Sequence, residues 1–150
     1  MKYLFLISLI IFLSSCSNEN ILKPVEIEYG QDICETCTMI ISDKEYSAQY
    51  IYTNGKARRF DDIGCMMHFI KDNKNENGNI SAVFVRDFNS KNWINAKNAH
   101  FFQSNKITTP MGYGIVAFAR KEDLKNIKLK IEGKYLGGFE ETIAWFLEKK

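Results

Sequence analysis

Two thiols and a thioether stand within six residues in Cys34-Glu35-Thr36-Cys37-Thr38-Met39. Thiolate and thioether are soft, polarisable donors, and together they favour Cu(I) over hard or borderline divalent ions. A Met two positions after a Cys falls on the same side of an extended or turn segment, so Cys37 and Met39 can converge on one ion. Three other uses compete for the same residues. A thioredoxin-type redox pair needs a helix N-terminus after its CxxC, whereas the following "MIISDKEYSAQ" reads as extended. A structural zinc site would recruit Cys34, Cys37, Cys65 and His68, although the chain has no second CxxC. A plain disulfide would join Cys34 to Cys37. A sulfur set of low coordination number suits a carrier, because it leaves a position open through which the ion can be passed on.

Further candidate ligands lie elsewhere in the chain. Pro110 and Gly112 bracket Met111 in a turn, which displays its thioether at a loop tip as a possible third soft donor. Cys65 and His68 are about one helical turn apart and reach the site only if their helix faces it. A helix histidine satisfied by packing is the competing reading for His68, and His100 sits in an aromatic stretch where packing is expected. Met66 and Met67 read as core. Asp61 and Asp62 read as a helix cap and a dipole partner rather than as paired catalytic carboxylates. No Ser/His/Asp arrangement, phosphate-binding glycine loop or HExxH string occurs, so the sequence does not favour an enzyme.

Compartment follows from the first residues. "MKYLFLISLIIFLSSC" has a Lys, an apolar run and a small-residue pair before Cys16. This reads as a signal peptide over residues 1–15, with a site resembling the lipobox of bacterial lipoproteins, so that Cys16 would carry the lipid. Residues 16–31 then form a polar tether, and residues 32–150 the folded domain. Setting Lys2 aside leaves 19 basic against 18 acidic residues, a balance that offers nothing to nucleic acid. Three cysteines remain after Cys16, an odd number that makes a poor disulfide framework.

The elements that must position these residues are legible from pattern. Asn54-Gly55 interrupts an alternating stretch and predicts a hairpin over 47–53 and 56–60 with a type I′ turn. A helix capped by Asp61 or Asp62 should run to about Lys71, followed by the polar loop "KDNKNENGN". Strands are expected at 80–88, in "NWINA" and at 114–119, with 96–102 ambiguous, and a short helix should begin near Lys121. Finally, "GKYLGGFEETIAWFLEKK" repeats the layout of "GKARRFDDIGCMMHFIKD", with Phe139-Glu140-Glu141 matching Phe60-Asp61-Asp62. The expected fold is α+β: two related ββα-type lobes of about 32–77 and 78–150, each with a small antiparallel sheet against a helix.

The lipobox-like Cys16, the CxxCxM segment, "RFDDIGCMMHF" and "TTPMGYGIVAFARKEDL" together resemble the NosL family of copper-binding lipoproteins, over about residues 32–147. The resemblance implies a Cu(I) chaperone on the extracytoplasmic, periplasmic side of a bacterial membrane. Its copper would go to nitrous-oxide reductase or that enzyme's maturation transporter complex. It also implies two lobes like those of organomercurial lyase, and metal ligands at Cys37, Met39 and Met111, with Cys34 more peripheral. The family pattern commonly places Gly between the second Cys and the Met, where this chain has Thr38, a less permissive residue. A thiol-disulfide protein that keeps a partner's copper ligands reduced is the alternative.

Overall fold

The computed structural model describes residues 23–73 and 79–149, so the signal segment, Cys16 and most of the polar loop after α1 lie outside the described residues. Among the described residues there are two antiparallel sheets and three α-helices, the α+β architecture expected. The first sheet has the order β2-β1-β3-β4, with β1 at Ala48–Tyr52, β2 at Ala57–Phe60, β3 at Ile80–Arg86 and β4 at Trp93–Asn95. The second has the order β6-β5-β7, from His100–Gln103 (β5), Ile115–Phe118 (β6) and Lys134–Gly137 (β7). Helix α1 (Ile63–Asp72) follows edge strand β2, α2 (Lys121–Lys128) joins β6 to β7, and α3 (Phe139–Glu148) follows edge strand β7. Residues 96–102 divide into a single 3-10 turn at Ala96–Asn98 and the start of β5.

The hairpin forms where the alternation predicts it, but its turn is not type I′. Gly55 alone has positive φ (+82), its N–H donates to the Tyr52 carbonyl at 2.9 Å, and the Tyr52 N–H donates to Lys56 O. That is a three-residue loop closed by a left-handed glycine, and Asn54 instead accepts from the Lys56 N–H through its side chain. The sheets part between Asn95 and His100 rather than near residue 78. The reason is that β3 pairs with β1 along Ala48–Tyr52, so the strand after the polar loop completes the first sheet.

One core serves both lobes. Ala48, Tyr50, Val83 and Val85 from the first sheet meet Phe101, Ile115, Ala117 and Leu136 from the second, with α1 and α3 supplying Met66, Met67, Ile70, Phe139 and Phe146. The methionines of α1 are core residues, as their helical spacing predicts. Aromatic rings of Tyr50, Phe60 and Phe69 meet at 5.4–5.6 Å and fix α1 against the hairpin. The sheets are stitched at Asp87, whose carboxylate accepts from the Ala119 N–H while the Phe88 N–H donates to Ala117 O.

Candidate metal centre

The CxxCxM segment is a closed loop. Ile33 and Ile40 pair as an antiparallel bridge, the Cys34 N–H donates to Met39 O at 2.8 Å, and the Thr38 N–H donates to Cys34 O at 3.0 Å. Reversing the chain so tightly puts Thr38 in the left-handed region at φ +61. A β-branched residue pays about 1–2 kcal/mol of steric cost there, so the glycine-for-threonine departure noted in the sequence falls where glycine would relieve strain. The loop is fastened to the hairpin and helix by three further links. Glu35 N–H donates to Arg59 O, Arg58 pairs with the Glu35 carboxylate at 3.0 Å, and the Thr36 hydroxyl donates to Cys65 O at 2.8 Å.

These links carry Cys34 and Cys37 to the start of α1. The sulfurs of Cys34, Cys37 and Cys65 and a carboxylate oxygen of Asp61 lie within 4.8 Å of one another. Cys34, Cys65 and Asp61 are buried, while Cys37 is half-buried. Cys37 Sγ donates to Asp61 Oδ2 at 3.4 Å, and Asp61 Oδ1 is buried with no hydrogen-bond partner. A buried carboxylate oxygen left unsatisfied beside three thiols fits a site built to receive a cation or a proton. Electrostatics separate the thiols. A hydrogen bond from Cys65 lowers Cys34 to about 6, and Cys65 is correspondingly raised. Burial, reinforced by the Cys34 thiolate and Asp61, pushes Cys37 up to about 11.

Asp62 does different work. Its backbone is extended (φ −142, ψ 141) and its Oδ1 accepts from the Gly64 N–H at 2.7 Å, capping α1. Its Oδ2 accepts from the Thr109 hydroxyl at 2.6 Å and the Met111 N–H at 3.1 Å. One side chain therefore ties the Pro110-Met111-Gly112 turn to the helix that carries Cys65, a distance of 49 residues in sequence. Burial raises the Asp62 carboxyl against the three donors that lower it. Met39 and Asp61 share a cleft of about 400 Å³ with Tyr46, Thr109 and Pro110. Met39 is 57% exposed and Met111 37% exposed, so both thioethers stand at the surface rather than in the buried sulfur cluster.

Three of the residues singled out from sequence, Cys34, Cys37 and Cys65, thus come together. Met39 shares a cleft with Asp61, and the Met111 turn is hydrogen-bonded to Asp62 at the start of α1. His68 does not join the cluster, since its ring packs on Tyr113 at 5.5 Å and edge-on to Phe146 at 4.9 Å. His100 is likewise taken up, by the Tyr135 hydroxyl at 3.1 Å. Asp61 is the residue that sequence reasoning missed. The signal for it was the doubled acid, because one helix start has room for one cap and the second carboxylate must face elsewhere. The three thiols with Asp61 have the donor types of a tetrahedral N/O/S site, and the thiols with a rim methionine have those of a Cu(I) site.

The NosL family model matches residues 24–143. The chain belongs to the NosL family. The crystal structure of the copper chaperone NosL from Shewanella denitrificans superposes with a TM-score of 0.65 at 22% identity, covering 76% of this chain and 92% of that one. At that identity the likeness is one of fold. No curated protein matches the chain. The match begins at residue 24, so both the thiol loop and the Met111 turn fall within the NosL family region.

Proposed function

We propose that this chain is a membrane-anchored Cu(I) metallochaperone that supplies an extracytoplasmic copper enzyme, nitrous-oxide reductase or the transporter complex that matures it. The observation that carries the reading is the convergence of three thiols within 4.8 Å, beside exposed Met39 and the tethered Met111 turn. Soft sulfur donors select a soft ion, and the likeness in fold to a NosL described as a copper chaperone supports copper as that ion. In this reading Cys37 and Met39 hold Cu(I), Met111 is the third ligand, and the Cys34 and Cys65 thiols back the site. The half-buried position of Cys37 supports transfer by ligand exchange. A recipient's soft ligand enters from the cleft before the chaperone's own sulfurs leave. Lipidation at Cys16 would hold the protein on the periplasmic side of the membrane, within reach of its recipient.

The test is an anaerobic competition titration of the reduced chain with Cu(I) against a chromophoric chelator. One ion should bind per chain, at least about a hundredfold more weakly in Cys37→Ser and about tenfold more weakly in Met39→Leu and Met111→Leu. Binding indifferent to both methionines would end the thiolate-thioether assignment. A second reading, a thiol-disulfide protein, has one observation in its favour, the clustering of three thiols with Cys37 only half-buried. Met39→Leu separates the two readings, because it leaves thiol-disulfide exchange intact.

A further inference from the structure

Charge is unevenly laid out along this nearly neutral chain. Between Lys97 and Lys134 there are eight basic and three acidic residues, a net +5, whereas between Lys23 and Asp62 there are five basic and eight acidic, a net −3. The basic segment centres on α2, which covers the outer face of the second sheet by packing Leu124 and Ile127 onto Phe102, Val116 and Phe118. That packing turns Lys121, Lys125 and Lys128 to solvent. Immediately after the helix, Leu129 is 86% exposed, the barest large hydrophobic side chain among the described residues, and it stands between exposed Lys128 and Lys130. Lys106 and Lys134 continue the basic edge on either side of a shallow cleft that also holds Asn105 and Glu132. Among the described residues none of these lysines is in a salt bridge, and the nearest carboxylate pair, Arg120 with Asp123, is closed on itself at 2.8 Å. Compensation of the helix dipole accounts for Lys125 and Lys128. The Trp145 ring, 5.9 Å from the Lys134 ammonium, accounts for Lys134 in part, but nothing of the kind accounts for Lys106, Lys130 or the bare leucine.

We propose that this edge docks on the headgroup layer of an anionic lipid bilayer, with Leu129 entering the boundary with the acyl chains and the lysines meeting the phosphates. The edge is an apolar tip ringed by long, hydrated point charges; its cleft is shallow, and the guanidinium of Arg120 is already taken up by Asp123. That is the pattern of interfacial adsorption rather than of a shape-matched protein contact. The proposal rests on the reading of a lipid-anchored protein, for which a tether at Cys16 limits distance but leaves orientation free. A second contact through Leu129 would fix the orientation. None of the residues lining the cleft beside the thiols belongs to the basic edge, so docking would leave the copper site open.

Flotation with vesicles tests the edge apart from the anchor if the mature chain carries Cys16→Ser. The unacylated protein should float with phosphatidylcholine vesicles that contain phosphatidylglycerol, not with phosphatidylcholine alone, and binding should weaken as salt rises. Lys128→Glu with Lys130→Glu should weaken it at least about tenfold, and Leu129→Ser about fivefold with the salt dependence retained. Lys128→Gln with Lys130→Gln, which keeps the side-chain bulk, should give an intermediate loss and so separates charge from misfolding. Equal binding to both vesicle types, no binding to either, or binding that survives charge reversal would overturn the proposal. So would capture by polyglutamate without any affinity for vesicles, which would mark the edge as a site for an acidic protein. Mass spectrometry of Cys16 from native membranes judges the anchor separately, and an unmodified thiol there would sink the anchor reading while leaving the vesicle result standing.

Discussion

The two helices that follow the edge strands begin from nearly the same residues and end up with different duties. In the first lobe Phe60 closes β2, Asp61 and Asp62 lie in the bend that follows, and α1 starts only at Ile63. In the second, Gly138 takes the cap position and Phe139 is already the first helical residue, so Glu140 and Glu141 fall in the first turn of α3. That offset decides where the carboxylates go. Asp61 and Asp62 precede the helix and are buried, one among thiols and one in a three-donor cap, while Glu140 and Glu141 are exposed. A Phe followed by two acids therefore makes a site only when the helix waits for them to pass.

The comparison can be broken by exchanging the acids for alanine. Asp62→Ala removes the cap and leaves the Met111 N–H without its acceptor, and should cost about 2–4 kcal/mol in urea denaturation. Glu141→Ala, losing only a solvated charge near a helix N-terminus, should cost under about 1 kcal/mol. Similar losses would mean that the two acids do equivalent work after all. Gly64→Ala sharpens the same contrast, because a Cβ there would strike the Tyr113 ring at the start of α1. Despite the better helix propensity of alanine it should destabilise by about 1–3 kcal/mol, read as a lowered thermal midpoint.

A pH test reports on the thiols, which among the described residues belong only to the first lobe. Cys34 titrates at about 6 in the fold against an ordinary 9.0. Its depressed value means that the unfolded chain binds the extra proton across that window. The stability of the reduced, metal-free protein should then rise from pH 6 to 8, by up to about 1.4 kcal/mol per unit, and the contribution should vanish below 6. Cys34→Ser should flatten the slope. The smallest effect is expected at the turn between Cys37 and Met39, where Thr38→Gly relieves the left-handed strain and should stabilise by about 0.5–1 kcal/mol, net of the extra chain entropy.

Much of this molecule could be read from local pattern. The alternation around Asn54-Gly55, the acids before "IGCMMHFI" and the late "FEETIAWFLE" are short-range signals, and hairpin, α1 and α3 form where those signals lie. The turn type was not legible, because a glycine with positive φ also suits a three-residue loop and the register of β1 against β2 makes the choice. The affiliation of β3 was hidden for a related reason. The polar loop looks like a boundary in sequence, but the strand after it still has an unpaired neighbour, β1, to complete.

The site divides in the same way. Residue chemistry and spacing alone determined that Cys34, Cys37, Met39 and Met111 were soft donors and that Met111 was displayed in a turn, since that depends on side-chain type and on Pro110 and Gly112 beside it. Only tertiary structure decided that Cys65 would join them, that His68 would instead pack against Phe146, and that Asp61 would face the sulfurs. Those outcomes depend on the rotation of α1 about its axis and on the point at which the helix begins. Both are set by long-range contacts, Thr36 to Cys65 and Asp62 to Thr109 and Met111, that no window of sequence contains.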